Sequence, residues 1–411
     1  MAAQASRVVR HCFSVTDSHC HVKMAASLQG GTPVDDVSTP PPFMCHIARA
    51  VMCGTHPDVD WDLIEAAATA ARSSRVRISP ALSAATEPAA AHVVVIPGFG
   101  VHPWFVPHDS GSTAPPSKND AVAGSGGSEA GNDADVRCLE GGKQRERSSE
   151  ELLCLLEAAL QRHPQAIVGE IGLDKLRGPP EAVQLLLFVA QMKLAAKYGR
   201  PVSVHCVRSF GKMLQVLQDL PAEDTPPAIV LHGFTGSVDF ARSAMMIRKR
   251  RSALTGGGCL VKKAEPLRIF FGVGAVTSLR VKDFAEKTLS FLLREKRMLL
   301  ETDTHHTLLP PSPQVDGGGK AAQSSIGGSG GDGGTGPAKT TATHTTAAGC
   351  ELVWDKGSCV QLAHLITRVS SCRGDDDDIS IVEELLGKCE EAFLDAFCFS
   401  APTSAEAKRE T

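Results

Sequence analysis

Histidines and carboxylates recur along this sequence, each at or near the carboxyl end of a short apolar run. In chain order these residues are His19, His21, Glu170, His205, His232 and Asp303. Imidazole and carboxylate groups together bind Zn²⁺, Mn²⁺ or Mg²⁺, and such ions can activate a bound water for hydrolysis. Any one of these residues alone could be a buried structural histidine or a helix-capping acid. Their ordered recurrence predicts one shared hydrolytic site for a divalent metal.

Eight short apolar runs lie along the chain, and five of them contain or adjoin these residues. Most of the eight are followed by a segment of helical character. The predicted strands are Ser14–Asp17, Ala50–Cys53, Ile96–Val101, Ala166–Ile171, Val202–His205, Ile229–Leu231, Ile269–Gly272 and Met298–Glu301. The predicted helices are Trp61–Ala71, Glu150–Gln161, Pro180–Tyr198, Phe210–Leu220, Asp239–Arg248 and Arg280–Lys296. This alternation indicates an α/β protein with a parallel sheet covered by helices.

Eight strands favour a TIM-type (β/α)8 barrel, and an open doubly wound sheet is the alternative. Neither G-x-G-x-x-G nor G-x-x-x-x-G-K-[ST] follows a predicted strand, so the best-marked nucleotide sites of open sheets are not indicated. In a barrel, catalytic groups gather at the carboxyl ends of the strands. His19 and His21 are two residues apart, so on a strand they face the same side.

Composition predicts one large domain over residues 1–411 with three low-complexity insertions. Segments 26–42, 109–148 and 311–349 are rich in small and polar residues and are predicted to be disordered, with protein binding as one candidate role.

The chain has 42 Lys+Arg and 46 Asp+Glu, hence a net charge of −4. This balance gives no general attraction for nucleic acid or anionic membrane. The apolar runs are too short to span a bilayer, so no membrane partner is expected.

Thirteen scattered cysteines without a C-x-x-C pair favour reduced thiols over a disulfide framework. Residues 1–16 lack the apolar centre of a secretory signal. We therefore expect a cytoplasmic or nuclear protein.

The basic run Arg248–Arg251 is interpreted as the solvated end of a helix, with phosphate binding or nuclear import as alternatives.

Six ordered motifs resemble those of the TatD-family metal-dependent deoxyribonucleases, in a divergent eukaryotic-type form. They are Asp17-Ser-His-Cys-His21, Gly100-Val-His-Pro-Trp104, Gly169-Glu-Ile-Gly-Leu-Asp174, Pro201-Val-Ser-Val-His205, His232-Gly-Phe-Thr-Gly236 and Glu301-Thr-Asp303. The resemblance covers about residues 14–306 and a helical tail near 351–398. It implies a TIM-type barrel of the metal-dependent hydrolase superfamily that cleaves phosphodiester bonds in DNA, as an exonuclease.

The resemblance also implies a ligand set. The first metal would be held by His19, His21, Glu170 and Asp303, and Glu170 would bridge to a second metal held by His205 and His232. One or two divalent ions are expected, with Mg²⁺ typical of the family and Mn²⁺ or Zn²⁺ as alternatives.

The expected catalytic residues are Asp303, Glu170 and His102. Asp303 would orient or deprotonate the attacking water, and His102 would contact a phosphate oxygen or the leaving group.

The sequence departs from the family pattern beside these ligands. Val207 occupies the position of the usual arginine after His205, Arg208 comes one residue later, and His305-His306 follow Asp303 and add imidazoles near the mouth. These changes leave the metal ligands intact. They affect residues beside the ligands and therefore bear on which substrate the site binds. A hydrolase of another bond, such as an amide or lactone, and a protein-binding scaffold with weak or lost catalysis are the alternative functions. The sequence indicates no particular oligomeric state.

Overall fold

The computed structural model describes residues 11–25, 43–78, 93–108, 147–254, 260–311, 349–371 and 379–398. The strands are β1 (Cys12–Met24), β2 (Met44–Cys53), β3 (Val76–Ile78), β4 (Val94–Phe99), β5 (Ile167–Asp174), β6 (Val202–Val207), β7 (Ile229–Leu231), β8 (Arg248–Leu254), β9 (Leu260–Pro266), β10 (Ile269–Gly274), β11 (Met298–Glu301), β12 (His305–Leu309) and β13 (Glu351–Trp354). The helices are α1 (Trp61–Arg72), α2 (Ser149–Arg162), α3 (Glu181–Lys197), α4 (Phe210–Asp219), α5 (Val238–Met245), α6 (Ser290–Arg294), α7 (Lys356–Ser371) and α8 (Ile379–Phe397).

Eight parallel strands form the centre of the protein in the order β1-β2-β4-β5-β6-β7-β10-β11, which is the strand order of a TIM-type barrel. The segment after β11 returns to β1, because the Asp303 N–H donates to the His19 carbonyl at 3.0 Å and the His21 N–H donates to the Thr304 carbonyl at 2.9 Å. The last strand is thereby connected to the first. The predicted α/β class and TIM-type fold are confirmed.

The carboxyl-terminal helix α8 packs against the interior of the barrel. Its buried residues Phe393 and Phe397 contact a cluster that includes Ile167, Phe270 and Leu299, which lie near the starts of β5, β10 and β11. The ends of these strands are therefore left for the functional site, on the opposite side of the barrel.

A smaller extension flanks the barrel beside β1. Strand β12 pairs in parallel with β1, with His21 opposite His305, and continues through β13 to β3. These three strands were not predicted. His306 turns into this extension, where its ring stacks on Trp354 with centroids 3.8 Å apart. Only His305 of the pair therefore lies at the predicted mouth, against His21 with ring centroids 4.9 Å apart.

Two helix predictions on the later half of the chain differ from the structure, one at its end and the other in its continuity. The predicted Asp239–Arg248 helix ends at Met245, and Arg248 begins β8, which pairs with β9 in a separate antiparallel hairpin. The run Arg248–Arg251 is therefore a strand and not the end of a helix. The predicted Arg280–Lys296 helix is divided into a 3-10 turn at Ser278–Arg280, a π-helix at Phe284–Leu289 and α6.

The three predicted insertions lie outside the described residues, apart from their edges. At one edge Ser148 caps α2, since it accepts a hydrogen bond from the Glu151 N–H while the Glu151 side chain accepts from the Ser148 N–H. Within the described ranges, we find no helix with the length and apolar character needed to cross a membrane.

Candidate metal centre

The carboxyl ends of the barrel strands bring all of the predicted site residues together. The site residues of β1, β5 and β6 lie within their strands, whereas the others stand in the short segments just after β4, β7 and β11. The assembled residues are His19, His21, His102, Glu170, His205, His232 and Asp303. All are buried except His205 and Asp303, which are partly exposed. A barrel places such residues at one mouth because its parallel strands all end on the same side.

Four of these residues form a first group around the Nε2 atoms of the two β1 histidines, His19 and His21. His19 Nε2 lies 3.2 Å from His21 Nε2, and Glu170 Oε2 lies 3.4 Å and 3.5 Å from these two nitrogens. Asp303 Oδ1 lies 3.4 Å from His21 Nε2 and 3.9 Å from His19 Nε2. Metal bonds of about 2.0–2.2 Å in a tetrahedral site put ligand atoms about 3.3–3.6 Å apart. The four residues therefore fit a single divalent ion.

A second group surrounds the other oxygen of Glu170. Glu170 Oε1 lies 2.6 Å from His232 Nε2 and 2.8 Å from His205 Nδ1, and these two nitrogens are 3.3 Å apart. His102 Nε2 is also 3.3 Å from the same oxygen. Glu170 thus presents one oxygen to each group. Its contacts of 2.6 Å and 2.8 Å in the second group are hydrogen bonds, shorter than the spacing of two ligand atoms on one ion.

Surrounding atoms fix the rings of the candidate ligands. His19 Nδ1 lies 2.9 Å from Ser203 Oγ, and His21 Nδ1 lies 2.9 Å from the Cys53 carbonyl oxygen. These contacts leave both Nε2 atoms directed at Glu170. On the second group, His205 Nε2 lies 3.2 Å from Asp174 Oδ2, so Nδ1 faces the site. Metal-binding histidines are commonly oriented by a hydrogen bond at the other ring nitrogen.

Both site carboxylates are ionised. Burial by itself raises the pKa of Glu170, but the nearby imidazoles of His232 and His102 outweigh it and hold that pKa well below its usual value. Burial likewise raises the pKa of Asp303, and the hydrogen bond with His21 brings the net shift below the usual range. The mouth therefore presents two carboxylate groups to which a divalent cation can bind.

The imidazoles respond to this charge in two ways. Burial opposes protonation of His21, yet the Asp303 hydrogen bond and the Glu170 charge raise its pKa to about 9. His205 behaves alike, because Asp174 and Glu170 outweigh burial and raise its pKa to about 9. Burial lowers the pKa of His19 to about 4, so this ring is neutral. A metal that binds here must displace protons from His21 and His205.

Asp174, Ser203 and Trp104 are functional neighbours to which sequence reasoning assigned no role. Asp174 was quoted within its motif, but its contacts with His205 and with the Trp104 Nε1–H, at 2.6 Å, depend on the folded loops. Ser203 could have been found, because it stands two residues before His205 and so faces the same side of β6.

The backbone at Asp303 is unusual and helps to place its carboxylate. Its φ is +55°, in the left-handed region that aspartate tolerates better than most residues. This conformation turns the chain between β11 and β12, where Asp303 meets His21. Such strain is found where the surrounding structure and a functional site require it.

A barrel with imidazole and carboxylate donors at its mouth can hold divalent ions of the kind that activate water for hydrolysis. The family described as TatD related DNase matches residues 16–308. The chain therefore belongs to the TatD family of metal-dependent hydrolases, and the resemblance inferred from its motifs is confirmed.

Individual relatives align with shorter parts of the chain. The 3'-5' ssDNA/RNA exonuclease TatD of Edwardsiella piscicida is 30% identical over 163 residues, which are 39% of this chain and 54% of the relative. The uncharacterized metal-dependent hydrolase YjjV of Escherichia coli K12 is 38% identical over 99 residues, 23% of this chain and 37% of the relative. These alignments span about half or less of the relatives' lengths. The crystal structure of YjjV superposes with a TM-score of 0.45 and 19% identity, covering 96% of this chain and 100% of that one.

Proposed function

We propose that the protein hydrolyses phosphodiester bonds in DNA, as an exonuclease that uses one or two divalent ions. The observation that carries this proposal is the position of Glu170, whose two carboxylate oxygens face two separate groups of imidazoles. Two ions bridged in this way suit an in-line displacement at phosphorus. Relatives named as ssDNA/RNA exonucleases support nucleic acid as the substrate class.

The first ion would be held by His19, His21, Glu170 and Asp303, and the second by Glu170 with His205 and His232. Bound ions would lower the pKa of a water and stabilise negative charge on the phosphate oxygens. We propose Mg²⁺ as the activating ion, with Mn²⁺ or Zn²⁺ as alternatives that the same donors accept.

Asp303 is placed to control the attacking water. Its carboxylate is ionised, and its side chain is 32% exposed whereas that of Glu170 is 4% exposed. It can therefore accept a hydrogen bond from a water that enters through the mouth and fix the direction of attack.

His102 is placed to orient Glu170. Burial lowers the pKa of His102, so the ring is neutral, and its Nδ1 accepts a hydrogen bond from the Trp104 N–H at 3.2 Å. The ring proton is then on Nε2 and is donated to Glu170 Oε1. We propose this positioning role, and the predicted contact of His102 with a phosphate oxygen or leaving group stays a prediction.

The test measures nucleotide release from end-labelled single-stranded DNA, after chelation and resupply of Mg²⁺ or Mn²⁺. Asp303→Asn should lower the rate by about 10²–10⁴-fold, the usual range for a positioned acid or base. Asp283→Asn is the matched control, because Asp283 also has a left-handed backbone with φ +60° and its carboxylate pairs with Lys287 and not with a candidate metal ligand. Equal rates in the parent and Asp303→Asn would contradict the assignment of the site.

Hydrolysis of another bond type is the second candidate function. It is favoured by the second residue after His205, since Val207 stands where an arginine is usual and Arg208 is exposed with φ +55°. Release of product from amide or lactone substrates by a metal-loaded protein that leaves DNA intact would select this function.

A further inference from the structure

A tryptophan at the mouth of the barrel is held in place and yet left open on part of its surface. Trp104 lies in the 3-10 turn Pro103–Phe105 after β4, and it is 37% exposed. Its Nε1–H donates to Asp174 Oδ2 at 2.6 Å, and its ring lies 4.6 Å from that of His102 and 6.1 Å from that of His205. A rigid, partly exposed aromatic side chain beside candidate metal ligands is a surface on which a planar group can stack.

An arginine from the neighbouring loop lies over this ring. The Arg177 guanidinium is 4.9 Å from the centroid of Trp104. The loop that carries it is fixed from below, because Asp174 Oδ1 accepts hydrogen bonds from the Leu176 N–H at 2.8 Å and the Arg177 N–H at 3.1 Å. Gly178, with φ +80°, packs so closely that a Cβ there would lie 2.7 Å from the Pro103 carbonyl oxygen. The stacked pair is therefore pre-formed.

Exposed cations also lie just after two adjacent strand ends. Lys175 and Arg177 follow β5, Arg208 follows β6, and all three are exposed. The Lys175 N–H donates to the Val207 carbonyl at 3.0 Å, which holds the two loops side by side. Since the whole chain has a net charge of −4, this positive rim is a local feature. Aromatic side chains with cations beside them are typical of surfaces that bind single-stranded nucleic acid.

We propose that Trp104 and Arg177 form a stacking platform for one nucleobase of a single-stranded nucleic acid, while Lys175 and Arg208 neutralise the flanking phosphates. This inference rests on the proposed function, because the platform borders the candidate metal centre. A base within a duplex has its faces covered by neighbouring pairs, so only an unstacked base can reach the indole and guanidinium. The platform therefore selects single strands or frayed ends over intact duplex.

Stacking of a base on an aromatic side chain contributes about 1–3 kcal/mol, or about 5- to 150-fold in affinity. The parent protein should therefore have a KM lower by that factor for a single-stranded oligonucleotide than for the same oligonucleotide with an abasic terminal residue. Arg177→Ala and Trp104→Ala should move this ratio towards one. Loss of the Trp104–Asp174 bond alone would change both substrates equally, so the ratio isolates stacking from a structural effect.

The matched control is Arg294→Ala. Arg294 also stacks on an aromatic ring, with its guanidinium 5.2 Å from the centroid of Phe291, but it lies in α6 on the flank of the barrel. This variant loses the same charge and a similar contact, and it should keep the parent ratio. An Arg177→Ala ratio equal to that of the parent and of Arg294→Ala would overturn the platform.

Tryptophan fluorescence gives a readout that needs no hydrolysis. The chain has three tryptophans, and Trp61 and Trp354 are buried at 5% and 2% exposure, so a bound base quenches Trp104 selectively. A phosphorothioate oligothymidylate should quench the parent, its duplex should not, and Trp104→Phe should remove the effect. Quenching without cleavage of any oligonucleotide would refute the proposed function and keep the platform. Cleavage without quenching would overturn the platform and keep the proposed function. If neither cleavage nor quenching occurred, the platform and the proposed function would both be overturned.

Discussion

Replacing Ser203 by alanine should weaken metal binding while the barrel stays folded. Ser203 Oγ lies 2.9 Å from His19 Nδ1, and both residues are fully buried. A metal on His19 Nε2 requires the ring proton to be on Nδ1, where Ser203 accepts it. In the metal-free protein the neutral ring can change tautomer, so the missing acceptor matters mainly in the metal-bound state.

The size of this effect follows from burial. Water cannot reach His19 to replace the serine oxygen, and a buried donor left without an acceptor costs about 1–3 kcal/mol. This free energy corresponds to about 5- to 150-fold in the dissociation constant of the metal, in agreement with the 10- to 100-fold effects usual for groups that orient metal ligands.

The assay is competition between metal-stripped protein and a chelating dye, with circular dichroism to verify the fold. Ser358→Ala is the matched control, because Ser358 is equally buried and donates to the Asp355 carbonyl at the start of α7, away from the mouth. A Ser203→Ala affinity equal to that of the parent and of Ser358→Ala would refute the view that His19 binds metal through Nε2.

Three further outcomes are expected. Since the pKa values of His21 and His205 are raised to about 9, the affinity for a divalent ion should rise from neutral pH and level off above about pH 9, and calorimetry in buffers of different ionisation enthalpy should detect the released protons. An affinity independent of pH would contradict their role as ligands. Phe393→Ala should lower the free energy of unfolding by about 3–5 kcal/mol in a denaturant titration, since this fully buried ring fills the barrel interior. Gly172→Ala should displace β6 and weaken binding of the second ion in a metal titration, because its φ is +148° and a Cβ would lie 2.0 Å from the His205 carbonyl oxygen. An unchanged free energy of unfolding in Phe393→Ala would count against the first of these two expectations. Unchanged binding of the second ion in Gly172→Ala would count against the other.

The barrel strands and the candidate ligands could be predicted from sequence because local patterns specify both. An apolar run that ends in a metal-binding residue predicts a strand and also the side of the sheet on which the residue lies. His205 and His232 illustrate this, since each was located by the end of the run before it.

Contacts between distant segments could not be predicted in this way. The cations at Arg248–Arg251 resemble a helix end when considered alone, but β8 is stabilised by pairing with β9. Its Lys249 is buried and donates to the carbonyls of Gln218 and Leu220. Likewise, His306 leaves the mouth because β12 continues beside β1 and turns alternate side chains to opposite faces. Pairing partners of this kind are specified by tertiary structure.

The position of α8 under the barrel has a consequence for biosynthesis. A ribosome completes every strand of the barrel, together with all candidate metal ligands, before it reaches Ile379. Until α8 emerges, Ile167, Phe270 and Leu299 have no Phe393 to cover them. A chain that terminates early would therefore contain the whole site and still expose apolar interior surface, which makes it prone to aggregation and recognition by chaperones. Synthesis of α8 is thus the step that covers this apolar surface.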